Sequence, residues 1–303
     1  MHIVPFLVFL SRLRISLIHA LKAFRDSYRL MRPAQKSFGG YFFSGPVGMM
    51  SGDFERYETH LFLALISSSE FFVNIGANVG YYCCHALQAG LEVIALEPLP
   101  SNVDLLLKNI RANHWENKCR ILPVAAGAVS DVQNLYGGGT SASLIQGWAG
   151  TNTDVRFARW VPVVPLDEAV DVSKLPSKLI ILVDVEGAEK ALLDGAKSFL
   201  ARRPKPLWIV EISIDEHQPS GISINPLLGA TFQKFWDLNY SCITFDEQLT
   251  IVSPESIQQI VLSGINTFTT HNFLFFDPAR KSEIFGLFSS SACASRFRKE
   301  PFE

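Results

Sequence analysis

The chain has 303 residues, of which 48% are apolar and 18% charged, and its formal net charge is −2. This length and apolar content exclude a disordered protein and predict one large domain, alone or with appendages. Because the net charge is close to zero, the chain lacks a general basic field, and we expect no nucleic-acid partner.

Residues 1–36 differ in composition from the rest of the chain. They carry seven Lys and Arg residues against a single acid, Asp26. Apolar residues recur at positions 13, 17, 21, 24 and 28, and Pro33 ends the pattern, which predicts a basic amphipathic helix. Such a helix can pack on the domain, contact a partner such as a second copy of the chain, or lie in a membrane interface. The sequence leaves these alternatives open.

The sequence also bears on the cellular compartment. No apolar run is long enough to span a bilayer. The run at 3–10 has no basic stretch before it and no small-residue cleavage site after it, so we expect no signal peptide. The five cysteines form no C-x-x-C pair, which favours buried thiols in a reducing compartment. We therefore expect a cytoplasmic protein, either free or associated with a membrane surface.

Beyond the basic segment, helical and strand patterns alternate along the chain. This alternation predicts an α/β fold with a mostly parallel sheet that is covered by helices on both faces. The predicted elements are helix 54–67, strand 71–75, helix 79–89, strand 91–96, helix 101–113, strand 119–125, strand 178–183, helix 188–200, strand 207–212, helix 226–238 and strands 241–245 and 272–276.

The alternation breaks between residues 126 and 177, and we interpret this stretch as an insertion that sets substrate specificity. It contains a glycine-rich loop from residue 137 and a strand at 159–164. We place that strand at a sheet edge because Pro162 cannot donate a ladder hydrogen bond. The predicted organisation is a helical segment (1–36), a domain (37–277) and a loosely held tail (278–303).

A glycine-rich turn follows the first strand of the alternating region. The stretch 72–80 reads F-V-N-I-G-A-N-V-G, and the next apolar run ends in Glu97. Strand, glycine turn, helix, strand and acid is the order in which an α/β sheet holds a nucleoside-bearing ligand, with the acid on the ribose diol. The dinucleotide fingerprint G-x-G-x-x-G needs glycine at its third position, where this chain has Asn78. Gly76 and Gly80 instead suit a ligand without a pyrophosphate, such as S-adenosylmethionine (SAM).

Several ordered motifs make the chain resemble the FkbM family of SAM-dependent methyltransferases over residues 57–276. The family pattern is D-x-G-A-N-x-G, E-P-x-P-x-N, L-D, D-x-E-G-x-E and a strand ending in E. Here these motifs read N-I-G-A-N-V-G at 74–80, E-P-L-P-S-N at 97–102, L-D at 166–167, D-V-E-G-A-E at 184–189 and V-E-I at 210–212.

The resemblance implies the class I methyltransferase (Rossmann-like) fold, with a seven-stranded sheet whose last strand is antiparallel. It implies SAM as the cofactor and hydroxyl groups of sugars, glycans or small molecules as acceptors. The residues that it marks as cofactor-binding are Asn74, Gly76, Ala77, Asn78, Gly80, Glu97 and Asn102.

One position departs from the family pattern. The family has Asp where this chain has Asn74, so the charge attraction to the ammonium group of SAM is lost there. Glu58 in the preceding helix is one candidate for a substitute acid. The interpretation that we favour is an ordinary surface or helix-start residue.

Acids mark the ends of two later strands. Asp184 follows one strand and Glu211 ends the next, so parallel pairing would place both carboxylates at one sheet edge, with Glu186 within reach. Adjacent carboxylates raise one another's pKa or bind a cation. We therefore treat Asp184, Glu186 and Glu211 as candidate catalytic residues, and Asp184 and Glu211 as candidate ligands for Mg²⁺. Glu189, one helical turn further on, is interpreted as structural.

Methyl transfer to an alcohol needs a base or a Lewis acid, because the attacking hydroxyl must lose its proton. His217 and His271 are further candidates for that base, although each is also explained as an ordinary surface or core residue. Trp148 and Trp160 can stack on a sugar ring or belong to the core.

Three functions remain as alternatives at this point. The first is a SAM-dependent O-methyltransferase, and the second is a catalytically silent SAM-binding or scaffold module. The intact acids Asp184, Glu186 and Glu211 argue against the silent module. The third is a nicotinamide oxidoreductase, which the glycine spacing disfavours.

Overall fold

The computed structural model describes residues 16–17, 20–148 and 155–289. The start of the basic segment and the last 14 residues of the predicted tail lie outside these ranges. The strands are β1 (Gln35–Lys36), β2 (Phe42–Phe43), β3 (Phe71–Ile75), β4 (Glu92–Leu96), β5 (Cys119–Leu122), β6 (Ala125–Ala126), β7 (Asp131–Leu135), β8 (Arg159–Val164), β9 (Leu179–Val183), β10 (Leu207–Glu211), β11 (Ser241–Thr244) and β12 (Asn272–Phe276).

The helices alternate with these strands along most of the chain. They are α1 (20–31), α2 (Val47–Ser51), α3 (Arg56–Ile66), α4 (Tyr81–Gln88), α5 (Pro100–Ala112), α6 (Leu166–Ala169), α7 (Glu189–Asp194), α8 (Lys197–Ala201), α9 (Leu228–Trp236), α10 (Pro254–Ser263) and α11 (Lys281–Ser289).

A seven-stranded sheet forms the centre of the protein, in the order β11-β12-β10-β9-β3-β4-β5. Neighbouring strands from β10 to β5 pair in parallel, whereas β12 pairs antiparallel with both β10 and β11. β12 is the last strand in the described part of the chain. The class I methyltransferase fold is therefore confirmed, including its antiparallel last strand.

Side chains of the central strands alternate between two helical layers. Val73 and Ile75 of β3 belong to one core cluster, which the apolar faces of α7, α8, α9 and α10 cover. Phe72 of β3 points to the other side, where α3, α4, α5 and α11 cover the sheet. A strand that is buried on both faces reads as a continuous apolar run, which is why the sequence reveals these strands. Each fully buried Leu, Ile or Phe side chain contributes about 1.5–3 kcal/mol to stability.

Two predicted elements are interrupted in the structure. The strand predicted at 119–125 divides at Pro123: β5 stays in the main sheet and β6 joins a second sheet. The helix predicted at 188–200 divides into α7 and α8 at Gly195. A Cβ on Gly195 would lie 2.0 Å from the carbonyl oxygen of Gly127, so this position packs directly on the insertion. The boundary between α7 and α8 is therefore set by tertiary packing rather than by local helix propensity.

β8 is the middle strand of a three-stranded sheet with the order β6-β8-β7, so the prediction of an edge strand is wrong. β8 pairs antiparallel with β7, with Pro162 opposite Val132. The two-residue β6 pairs with β8 only at Val163 and Val164. Proline has no backbone N–H to donate to a neighbouring strand. Pro162 is tolerated because β6 pairs only with the residues that follow it, so Pro162 has a neighbouring strand, β7, on one side only.

Part of the predicted tail is ordered on the core. Residues 281–289 form α11, and Ile284 and Phe288 are buried against the same sheet face as α3. The expectation of a loosely held tail is wrong for this part, because an i, i+4 apolar pair gives the helix a buried face. The predicted elements also omit α10, although Ser253 caps it and Pro254 stands at its first position.

Helix α1 packs on the domain through its basic face. Lys22 Nζ donates to the carbonyl oxygen of Gly138 at 3.3 Å, and Lys108 Nζ donates to the carbonyl oxygen of Arg29. The described part of the predicted apolar stripe, at positions 17, 21, 24 and 28, points outward instead, with Phe24 68% exposed; position 13 lies outside the described residues. The described part of α1 therefore packs on the domain, but through the face opposite to the expected one. No helix among the described residues combines the length and the apolar character needed to cross a bilayer.

Candidate active site

Three parallel strands end level with one another at one edge of the sheet. Ile75, the last residue of β3, pairs with the last residues of β4 and β9. Backbone bonds continue this ladder beyond the strands: Asp184 N donates to Ile75 O and Gly76 N donates to Leu96 O, each at 2.9 Å. Gly76, Glu97 and Asp184, which directly follow the three strands, are therefore fixed side by side.

Packing requires glycine at both ends of the turn after β3. Gly76 has φ +83°, and a Cβ there would lie 1.7 Å from the carbonyl oxygen of Asp184. Gly80 has φ +88°, and a Cβ there would lie 2.3 Å from Leu106 Cδ1. The left-handed backbone and these close approaches let β3, β9 and α5 meet around the turn.

Glu97 is buried and holds this turn in place. Its Oε2 accepts the backbone N–H of Asn78 at 2.7 Å, and its Oε1 accepts the backbone N–H of Leu99 at 2.8 Å. Burial raises the pKa of Glu97 to about 7, and these N–H donors partly offset that effect. A carboxylate oxygen with one donor can accept a second. Glu97 can therefore also accept the two hydroxyl groups of a ribose.

A cavity opens between the strand ends and the insertion. Of the predicted cofactor-binding residues, Gly76, Asn78, Glu97 and Asn102 line it. Asn102 Nδ2 donates to Gly139 O at 3.2 Å, which ties α5 to the glycine-rich loop. The described lining does not include Asn74, Ala77 and Gly80, which lie in the strand and turn behind it.

Asn74 contacts a helix rather than the cavity. Its side chain is buried, and Nδ2 donates to Cys83 Sγ of α4 at 3.3 Å. Its Oδ1 is sealed from solvent and has no hydrogen-bond partner among the described residues. An ionised carboxylate in the same place would be costly without a partner, so a neutral amide suits this surrounding.

Asp184 lines the cavity with one oxygen, Oδ1, sealed from solvent and without a hydrogen-bond partner in the described part of the chain. Burial raises the pKa of Asp184 well above its ordinary value, and nearby carboxylates, Glu186 foremost, raise it further. A buried acid without a partner is the group in this cavity that most needs a cationic or hydrogen-bonding ligand.

Glu186 connects the turn after β9 to the insertion. Its Oε2 accepts from Trp148 Nε1 at 2.5 Å and lies 3.8 Å from His217 Nδ1, while its backbone carbonyl accepts from Ser143 Oγ at 2.6 Å. Trp148 is buried, so its indole positions Glu186 and is not free to stack on a sugar. Trp160 lies outside this site, with 71% of its surface exposed.

Glu211 ends β10 beside Asp184. Burial raises the pKa of Glu211 well above its ordinary value, and the charge of Asp184 is the next cause. Its Oε1 lies 3.9 Å from His271 Nε2, and His271 Nδ1 lies 4.0 Å from Glu216 Oε1. Burial lowers the pKa of His271. The structure therefore brings Asp184, Glu186 and Glu211 together, with His217 and His271 at the outer side.

A further acid joins this group from the start of α3. Glu55 accepts from Tyr82 Oη at 2.5 Å, burial raises its pKa to about 7, and its charge raises the pKa of both Asp184 and Glu211. Burial raises the pKa of Glu58, the candidate from the sequence, and the like charge of Asp246 raises it further. Nothing local in the sequence distinguishes the two glutamates, because the electrostatic interaction of Glu55 with Asp184 and Glu211 joins distant parts of the chain.

Two other expectations concern Glu189 and Mg²⁺. Glu189 is buried, and its Oε1 accepts the backbone N–H of Gly187 at 2.7 Å, which fits the structural role predicted for it.

Among the described residues, no three or more His, Cys, Asp or Glu side chains gather closely enough to hold a metal ion. The arrangement of Asp184 and Glu211 therefore does not support an Mg²⁺ site.

The family model "Methyltransferase FkbM domain" matches residues 74–242 of the chain. This range runs from the glycine turn through β10 to the start of β11 and includes all the candidate catalytic acids. No curated protein matches the chain.

Solved structures that resemble the chain include three methyltransferases. Methyltransferase FkbM from Methylobacillus flagellatus KT has 17% identity and a TM-score of 0.41, with 69% of this chain and 44% of that one covered. The O-methyltransferase from Bacillus cereus in complex with SAH has 12% identity, a TM-score of 0.39 and coverages of 73% and 79%. The T. thermophilus 16S rRNA N2 G1207 methyltransferase, in complex with AdoMet and guanosine, has 15% identity, a TM-score of 0.41 and coverages of 81% and 50%. This chain thus spans less than half the length of the first, and similarity this low transfers no substrate.

Proposed function

The chain belongs to the FkbM methyltransferase family, and from this premise we propose that it transfers a methyl group from SAM to a hydroxyl group of a sugar, a glycan or a small molecule. The observation that carries the proposal is the juxtaposition of Glu97 and Asp184 across one cavity. One acid is preset to accept paired hydroxyls, and the other has a sealed oxygen without a partner.

The residues that line the cavity fit SAM. Gly76 and Asn78 would hold the methionine part at the amino end of α4, where a carboxylate is favoured. Glu97 would accept the ribose hydroxyls, and Asn102 lies beside it at the start of α5. Asp184 and Glu186 would face the positively charged end of the ligand, where carboxylates stabilise an ammonium or sulfonium group.

When bound, SAM supplies an electrophilic methyl group: the new C–O bond forms as the C–S bond breaks, and the electron pair of that bond stays on sulfur. We assign the acceptor proton to Asp184. A raised pKa makes this carboxylate a stronger base than an exposed one, and a nearby cation keeps it ionised before the transfer. Trp148 and His217 would fix Glu186 beside it.

Asp184→Asn tests this assignment. The amide keeps the shape of the side chain but cannot accept the proton, so we expect transfer of labelled methyl from SAM to hydroxyl-bearing cell extracts to fall by about 10²-fold or more. SAM affinity should fall far less than transfer, because Glu97 still accepts the ribose hydroxyls and Glu186 still faces the cationic end of the ligand. The matched control is Asp237→Asn at the exposed end of α9, which should leave transfer unchanged. Full transfer by Asp184→Asn would remove Asp184 from the reaction.

A further inference from the structure

A second concavity lies between α1 and the glycine-rich loop of the insertion. Its wall on the helix side carries Lys22, Arg25, Asp26 and Arg29. The opposite wall is formed by the loop from Gly138 to Ser141 together with the turn after β3. Lys22 and Gly138 lie 116 positions apart in the chain, and the bond from Lys22 Nζ to the carbonyl oxygen of Gly138 joins the helix to the loop.

The charges in this concavity are unbalanced. Arg25 lies 3.0 Å from Asp26 Oδ1, and Arg29 lies 3.7 Å from the same oxygen. Three cations against this single acid leave two positive charges in excess. Burial, followed by the charge of Arg25, lowers the pKa of both Lys22 and Arg29. Like charges held together at a partly buried surface repel one another unless an anion lies between them.

The concavity adjoins the proposed cofactor cavity. Asn78, Asn102 and Gly139 line both spaces, so only the glycine-rich loop and the start of α5 separate them. Arg25 lies close to that loop, since a Cβ on Gly139 would be 3.4 Å from its Nη2. An anionic group held by α1 would therefore lie next to a molecule that enters the cofactor cavity.

We propose that this concavity binds a phosphate group carried by the methyl acceptor, through Lys22, Arg25 and Arg29. Guanidinium groups bind phosphate oxygens in a bidentate manner, and the lysine adds a third donor group. The proposal rests on the proposed function, because it takes the adjoining cavity as the place of transfer. The phosphate group belongs either to a soluble acceptor or to a lipid headgroup. The three cations would bind the phosphate oxygens of both in the same way.

The test uses the full chain and two probes, inorganic phosphate by calorimetry and vesicles of phosphatidic acid in phosphatidylcholine by sedimentation. The double variant Arg25→Gln/Arg29→Gln should bind phosphate at least about tenfold more weakly, since it removes the charged hydrogen bonds of both guanidinium groups. The matched control is Arg32→Gln on the same helix segment, whose guanidinium lies over the Tyr28 ring instead. The control should bind phosphate as the wild type does.

Vesicle binding that needs Arg25 and Arg29, without binding of free phosphate, would support the lipid source of the same group. Equal binding of both probes by the double variant and the wild type would overturn the proposal. So would a loss of SAM affinity in the double variant, because the cations would then serve the cofactor. SAM titration of the same wild-type sample separates the two proposals: phosphate binding without SAM binding would refute only the proposed function.

Discussion

The backbone N–H of Asn78 donates to Glu97 Oε2 at 2.7 Å, so the acid that ends one strand is bound to the turn that follows its neighbour. This bond makes the two halves of the proposed cofactor site a single unit. The conformation of the turn and the orientation of the carboxylate depend on each other, and changes in either should affect both SAM binding and stability.

We expect Glu97→Ala to weaken SAM binding by roughly 1–3 kcal/mol, because the ribose hydroxyls and two backbone N–H groups lose their acceptor. Calorimetric titration measures the affinity, and denaturant unfolding measures the accompanying loss of stability. Glu92→Ala is the matched control, since Glu92 is an exposed residue at the other end of β4. SAM affinity that is unchanged in Glu97→Ala would remove Glu97 from the ribose site.

Gly76→Ala should destabilise the protein by clearly more than Gly90→Ala. Both glycines have a left-handed backbone, with φ +83° and +96°, which alone costs an alanine roughly 1–2 kcal/mol. Only Gly76 adds a steric clash, at 1.7 Å from the carbonyl oxygen of Asp184, whereas the space around Gly90 is open. Chemical unfolding of both variants isolates the clash. Equal losses of stability in the two variants would contradict this prediction, because the backbone at Asp184 would then have shifted to accommodate the added methyl group.

Stability should depend on pH through Glu55. Its pKa is raised from 4.5 to about 7 in the folded protein, so between these values the folded state holds a proton that the unfolded state has released. This contribution to the free energy of unfolding is therefore complete below pH 4.5 and decreases as the pH rises to 7, with a slope of at most about 1.4 kcal/mol per pH unit.

Glu55→Gln should remove the contribution of Glu55 to the change of the free energy of unfolding with pH. Because the pKa of His85 is lowered to about 4, that group acts in the opposite direction over part of the range, so the informative quantity is the difference between variant and wild type. Denaturant unfolding of the ligand-free protein at several pH values measures it. Parallel curves for variant and wild type would contradict the buried, protonated state of Glu55.

The exposed stripe of α1 leads to a prediction about residues 1–36, which we propose place the enzyme on an anionic membrane surface. A chain shortened to begin at Gly39 should remain folded and bind SAM, since the two clusters on the main sheet contain no residue of α1. It should no longer sediment with acidic vesicles. In the full chain, Phe24→Ser should weaken sedimentation, whereas Val132→Ser, at an exposed position of β7, should not. A full chain that ignores vesicles and dimerises would assign the stripe to a second copy.

Much of this architecture could be predicted from the sequence because the central strands are apolar on both faces. The turn at Gly76 and the acid at Glu97 are also local signals, and they identify the site edge without further information. The orientation of α1 is not local: an apolar stripe usually marks the buried face, but here the cations of that helix meet the loop at Gly138. The charge of Glu55 acts on Asp184 only because tertiary packing brings distant parts of the chain near each other, which no spacing in the sequence encodes.

The central claim is that the cavity between Glu97 and Asp184 binds SAM. The most direct measurement is a calorimetric titration of the wild-type protein with SAM, and with NAD in parallel. We expect saturable binding of SAM at a single site and none of NAD, because Asn78 occupies the position where a dinucleotide site needs glycine. Binding of NAD without SAM, or the absence of any SAM binding by the folded protein, would contradict the account.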